Sequence, residues 1–230
     1  MRPKPLTLVP GRNVGYTEEN NQKGGAALDV YYAEIALLRA RQEEALALLP
    51  PQRRAKAAAC RRVDDRLRSA AAGLLLVQIL GRDAAENLVC VENGKPAVPG
   101  GPPFSLAHSG PFAVLAVGNC PLGVDIEAPR PVSPLLRRRC FSAAEQNWAG
   151  GDNGRYLRLW TRKESVMKAT GRGVALSAGA IDTLGDTTDA CGRVWFLRSS
   201  ELDGCPLSAA AEQSFSLRLH RVDAAFLFRR

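Results

Sequence analysis

The apolar pattern begins only after residue 26. Residues 1–25 are rich in Pro, Gly, Asn and Lys and have no periodicity, which predicts a mobile leader over residues 1–26. Residues 28–35, Leu-Asp-Val-Tyr-Tyr-Ala-Glu-Ile, read as a first strand from their aromatic and β-branched content. Residues 36–49 read as a short helix stopped by Pro50-Pro51. Helical spacing over residues 51–80 predicts one long helix closed by Gly81, basic in its first half and apolar in its second. Short strands are expected at 88–92, 112–117 and 122–127, with a turn at Asn93-Gly94. Ser142 to Glu145 has the form of a capping box that opens a helix. A second long helix is expected from Arg155 through Trp160 and onward, stopped at Gly171 and Gly173. Residues 180–184, 193–197, 215–219 and 224–228 are strand-like, so this half is helix plus antiparallel strands, an α+β arrangement.

Composition narrows the class. Hydrophobic residues at 46% supply a core and charged residues at 23% are ordinary, as in a soluble globular protein. Lys and Arg number 31 against 23 Asp and Glu, a net charge of +8. That balance points to an anionic partner: nucleic acid, a phosphorylated small molecule, an acidic protein or a membrane surface. The six cysteines include no C-x-x-C pair, which leaves a zinc or redox reading without support. With no signal-peptide pattern at the N-terminus, reduced thiols and a cytoplasmic location are expected. The longest apolar run, residues 70–77, is too short to span a bilayer.

Three stretches carry candidate chemistry. In Gly123-Val124-Asp125-Ile126-Glu127 acidic and apolar residues alternate, so a strand would place both carboxylates on one side. Such a pair is an exposed strand face or a site for a hard cation such as Mg²⁺. In Trp160-Thr161-Arg162-Lys163-Glu164-Ser165-Val166-Met167-Lys168, Glu164 and Lys168 stand four apart on one helical face. Alone they read as a surface ion pair. The predicted helix at 51–80 carries seven bases, Arg53, Arg54, Lys56, Arg61, Arg62, Arg66 and Arg68, which form a solvated face or a phosphate-binding wall. His108, in Phe104-Ser105-Leu106-Ala107-His108-Ser109-Gly110, lies at a junction between strands.

In this order and spacing the stretches resemble the 4′-phosphopantetheinyl transferase family, and more closely its monomeric, two-lobed subtype that activates peptide and polyketide synthases. Gly123 to Glu127 matches the first acidic motif and Trp160 to Lys168 the W-x-x-K-E-x-x-x-K motif, with Gly171 and Gly173 as the glycine pair. Gly94-Lys95-Pro96 and residues 104–110 match two further blocks, and residues 53–69 resemble the first basic helix. The resemblance runs from about Leu28 to the C-terminus.

It implies transfer of phosphopantetheine from coenzyme A to a serine of an apo acyl or peptidyl carrier protein, Mg²⁺-dependent, with release of adenosine 3′,5′-bisphosphate. By motif position Asp125, Glu127 and Glu164 are the metal ligands, Glu164 is also the general base, and Lys168 holds the pyrophosphate. Lys95 and His108 match positions at the coenzyme A phosphates, Pro96 lies near the adenine, and Arg53, Lys56 and Ser69 surround the 3′-phosphate and adenine. The family usually has Ser before the histidine. Here it is Ala107, and weaker coenzyme A binding is expected.

The resemblance also implies the architecture: a pseudo-dimer of two similar α+β lobes, each an antiparallel sheet packed with a long helix. The lobes would span residues 27–120 and 121–230, meeting near Cys120-Pro121, with the coenzyme between them. The carrier is expected to be acidic and to meet a basic surface that includes Arg137 to Arg139. Neither nucleic acid nor membrane is an expected partner. The alternatives are a basic nucleic-acid-binding module, favoured by the seven bases but with only 6% aromatic residues, and an inactive member of the same fold.

Overall fold

The computed structural model describes residues 26–229, so the expected leader lies outside the described residues except for Ala26. The elements of the first half are β1 (Ala26–Glu34), α1 (Gln42–Ala47), α2 (Pro51–Ala58), α3 (Val63–Leu80), α4 (Arg82–Glu86), β2 (Val89–Cys90), β3 (Pro96–Ala97), β4 (Phe104–Ser109) and β5 (Phe112–Val117). Those of the second are β6 (Leu122–Ile126), α5 (Pro134–Cys140), α6 (Ala143–Ala149), α7 (Asn153–Ala169), β7 (Thr187–Ala190), β8 (Arg193–Leu202), β9 (Cys205–Ala211), β10 (Phe215–Arg221) and α8 (Ala224–Leu227).

Two four-stranded sheets organise the chain, in the orders β10-β1-β5-β4 and β6-β9-β8-β7. Helix α3 backs the first and α7 the second, which is the expected α+β arrangement. The second sheet is antiparallel throughout. The first is mixed: β10 returns from the C-terminus to pair parallel with β1, from Ala26↔Phe215 to Tyr32↔Arg221. The expected boundary at Cys120-Pro121 falls in the turn from β5 to β6, and β10 crosses back over it. One core cluster joins Val30, Phe112 and Val114 of the first sheet to Val124, Ile126 and Leu207 of the second.

Several expected elements differ. Residues 51–80 form two helices, because the chain turns after Ala58 and restarts at Val63. The signal for the restart is Asp64-Asp65, two acids in the first turn of α3, where the helix dipole favours them. The seven bases therefore do not share one face. Arg54 donates to the carbonyls of Leu46 and Ala47 at the end of α1, Arg66 to Cys60 O, and Arg53 is buried. Residues 36–49 begin as a 3-10 turn before α1. Residues 224–228 are a helix and not a strand, because the Asp223 side chain accepts from Phe226 N as an N-cap. Residues 180–184 are a loop tied down through Thr183.

Strand β9 was not expected. Cys-Pro-Leu-Ser-Ala-Ala-Ala has little β-propensity, yet it is central and buried at every position. Its small side chains let α7 lie against it on one side, at Ala210, while Ala209 and Ala211 face the shared core.

Candidate active site between the two sheets

Gly123 sets the geometry. A methyl group there would overlap the Ser165 carbonyl and the Ala169 amide of α7, so glycine lets the helix backbone rest on β6. Two residues along the same face, Asp125 comes level with the C-terminal turns of α7. Lys168 Nζ donates to Asp125 Oδ1 at 2.6 Å. The pair expected within the helix, Glu164 with Lys168, is thus replaced by one between elements.

All five residues of β6 are buried, since α7 covers the face on which an exposed carboxylate row was one reading. Asp125 is 7% exposed, and its Oδ2 has no hydrogen-bond partner. Its carboxyl is pushed up to about 6, first by desolvation and further by Glu164 and Glu127, against the pull of Lys168. Glu164, half-buried, is also raised, first by desolvation and then by Glu127. Among the described residues none donates a hydrogen bond to it. Glu127, just past β6, accepts from Ser109 Oγ at 3.1 Å and pairs with Arg130 Nη2 at 3.1 Å.

The three carboxylates therefore interact electrically. Among the described residues, however, no three His, Cys, Asp or Glu groups converge as a metal cage: Lys168 stands against Asp125, and Arg130 against Glu127.

A cavity of about 180 Å³ adjoins this cluster. Its walls join Lys95, Pro96 and Ser105 from the first half to Lys168, Gly171 and Gly173 from the second. Across its mouth Asn93 Nδ2 donates to Gly171 O at 3.0 Å. Lys95 Nζ donates to Leu122 O at 2.9 Å, and burial pulls its ammonium down to about 8.

His108 lies on the other face of β4, toward α3. Its ring keeps one edge in solvent, yet its imidazole is held low, first by desolvation and then by the positive charges of Arg68, Lys168 and Lys56. Positive charge from three elements, α3, α7 and α2, thus bears on it. Arg53 and Ser69 meet inside the α2–α3 contact, where Arg53 Nη2 donates to Ser69 O at 3.3 Å, while Lys56 is exposed. Arg53 Nε and Ser69 Oγ are buried without partners.

The sequence profile of the 4′-phosphopantetheinyl transferase superfamily matches residues 121–217, the stretch that holds Asp125, Glu127, Glu164 and Lys168. Over these residues the chain is similar to the 4′-phosphopantetheinyl transferase superfamily. It is similar to the 4′-phosphopantetheinyl transferase psf-1 of Bacillus pumilus, 38% identical over 90 residues, covering 36% of this chain and 39% of that protein. It is also similar to ffp of Bacillus subtilis, 29% identical over 150 residues, covering 59% and 67%, and to gsp of Aneurinibacillus migulanus, 33% identical over 123 residues, covering 49% and 52%. The chain thus spans between about two fifths and two thirds of the length of these relatives. Lys95, Pro96 and His108 lie outside the matched stretch, and the fold brings Lys95 and Pro96 to the cavity that Lys168 also lines.

Inside the family's W-x-x-K-E motif, Lys163 has a place that sequence reasoning missed. It is fully buried, pairs with Glu145 Oε2 at 2.8 Å, and donates to Ala178 O at 3.1 Å and to Ile181 O. Its neighbour Arg162 donates to Thr183 O at 2.7 Å and to Gly185 O. Both clamp residues 178–185 onto the back of α7 and so fix the rotation that turns Lys168 toward the cavity. The legible signal was the capping box, whose Glu145 is also the partner of Lys163.

Proposed function

We propose that this chain transfers the 4′-phosphopantetheine group of coenzyme A to a serine of an apo carrier protein and releases adenosine 3′,5′-bisphosphate. One observation carries the reading: the cavity that joins Lys95 and Pro96 to the glycine pair is also lined by Lys168, whose ammonium reaches Asp125 Oδ1 at 2.6 Å. Phosphates need cations, and here Lys95 and Lys168 line one cavity. The basic group around His108, with Arg68 and Lys56, suits the nucleotide's 3′-phosphate.

The donor set fits a hard divalent cation. The charges of Glu164 and Glu127 bear on Asp125, whose Oδ2 is buried without a hydrogen-bond partner. Asp125, Glu127 and Glu164 would hold Mg²⁺, which supplies charge neutralisation at the pyrophosphate. Glu164 takes the proton of the incoming serine hydroxyl, and its raised pKa suits that role. The serine oxygen bonds to the β-phosphorus as the bond from that phosphorus to the bridging oxygen breaks. Lys168 stays beside the phosphate oxygens as charge builds on them.

The carrier would be acyl or peptidyl and acidic, docking near α5. There Arg138 and Arg139 are exposed, while Arg137 is taken up by Val132 O and Asn153 Oδ1. The enzyme would act as a monomer, since a single chain supplies every side chain named. All six cysteines are free thiols, which suits a cytoplasmic location, and among the described residues no helix is long and apolar enough to cross a membrane.

The test is incubation with coenzyme A, Mg²⁺ and apo carriers of both types, followed by mass spectrometry for one added phosphopantetheine. Glu164→Gln should slow transfer by about two to four orders of magnitude. No addition on any carrier would remove the proposal.

A further inference from the structure

The edges of the two sheets lie side by side at β4 and β6 without sharing a backbone ladder. Within β6 the odd-numbered residues bond to β9, as Glu127 N does to Pro206 O, so the amides of Val124, Ile126 and Ala128 point toward β4. Side chains of β4 meet them. Val124 N donates to Ser105 Oγ at 3.1 Å and Ala128 N donates to Ser109 Oγ at 2.9 Å.

Only the second of these hydroxyls reaches a carboxylate. Because Ser109 Oγ accepts from Ala128 N, its own proton is free to go to Glu127 Oε2, 3.1 Å away. Ser109 is itself held. The next residue, Gly110, has φ +51 and packs so closely on Ala128 that a methyl group would stand 2.6 Å from the Ala128 Cβ. Arg68 Nη1 of α3 donates to Gly110 O at 2.8 Å. The other grip on Glu127 is Arg130, which donates from Nη2 to Oε1 at 3.1 Å and from Nε to Oε2 at 3.4 Å, from a side chain that is 44% exposed to solvent.

Resting on the transferase reading of the carboxylate site, we propose that Ser109 is a positioning residue for Glu127: a hydroxyl from the first sheet aims a cation ligand of the second. The serine is locked by an amide on one side and a glycine turn on the other, so it restricts Glu127 in a way that a solvent-exposed arginine does not. Hydrogen-bonded supports of metal ligands commonly change metal affinity about tenfold or more when removed.

The test titrates Mn²⁺ alone into the full chain by calorimetry, with transfer measured separately. Ser109→Ala should weaken Mn²⁺ binding about tenfold. Ser109→Thr, which keeps the hydroxyl, should restore it to within about twofold of the parent, whereas Ser109→Val should not. In a Glu127→Gln background Ser109→Ala should add nothing. Ser105→Ala, which removes a like contact with no carboxylate attached, is the comparator for general loosening of this seam. Equal Mn²⁺ affinity in the parent and Ser109→Ala overturns the proposal, as does an equal loss in Ser105→Ala. If Ser109→Ala does not fold, the Thr and Val variants make the same comparison. Mn²⁺ binding with this pattern but no transfer supports the role of Ser109 and sinks the transferase reading. No Mn²⁺ binding by the parent chain overturns the metal site and this role together.

Discussion

Helix α7 carries two lysine–carboxylate pairs, one on each side. Lys163 and Glu145 are both 0% exposed and 2.8 Å apart. Both oxygens of Glu145 are occupied, Oε1 by the Thr183 amide and hydroxyl and Oε2 by Ser142 N and Lys163. Lys168 and Asp125 are closer, at 2.6 Å, but Lys168 is 28% exposed and Asp125 Oδ2 has no donor. A buried polar network with every member paired holds a structure in place. A buried oxygen without a partner is costly and persists where something else is to bind it. The first pair orients the helix, and the second is what the orientation presents.

If that distinction is sound, the largest stability loss belongs to the first pair. Lys163→Ala should destabilise the protein by about 3–5 kcal/mol in urea unfolding, because Glu145 is left charged and buried. A loss under about 1 kcal/mol would mean that the network is not the anchor of residues 178–185.

The second expectation concerns Lys95, whose folded pKa of about 8 lies below its ordinary 10.5. A lowered lysine contributes stability above pH 10.5 that is lost as pH falls through 8. Lys95→Met should therefore gain melting temperature relative to the parent as pH falls across that window, and hold the gain below it. A difference that stays flat would show that the ammonium is not desolvated in the cavity wall.

Asp125→Asn tests the other pair. Removing a charge that burial already disfavours should change stability by less than about 1 kcal/mol, while transfer falls by at least about two orders of magnitude. A loss as large as that of Lys163→Ala would erase the contrast between the pairs.

The smallest effect is expected at Ala107. The two-residue step that sets Ser105 against Val124 N and Ser109 against Ala128 N brings Ile126 opposite Ala107, whose methyl offers no acceptor. Ala107 is 6% exposed and packed in the shared core, so a serine there would cap an amide and not reach a nucleotide. Ala107→Ser should raise stability by about 0.5–1.5 kcal/mol and leave coenzyme A affinity unchanged. A tightened coenzyme affinity would restore the reading that this position contacts the nucleotide.

What could be read from the residues themselves was local. Alternation in 122–127 marked β6, 3.6-residue spacing and a glycine stop marked α7, and the capping box marked α6, because each signal lies within one turn or a few residues of strand. The α+β class and the family followed from such short patterns in order. Asp125, Glu127, Glu164 and Lys168 were singled out on the same kind of signal.

The tertiary structure decided the pairings. Lys168 turns to Asp125 instead of Glu164 because Gly123 lets α7 sink onto β6, and no window along α7 contains that glycine. β9 became a central strand despite weak propensity because only small side chains fit beneath α7. Arg53 and Ser69 went into a helix contact because α2 and α3 fold back on each other at a break that carries neither proline nor glycine. Periodicity reports which face of an element is apolar. Which element covers that face, and which polar atoms are left there without a partner, is settled only when distant segments pack.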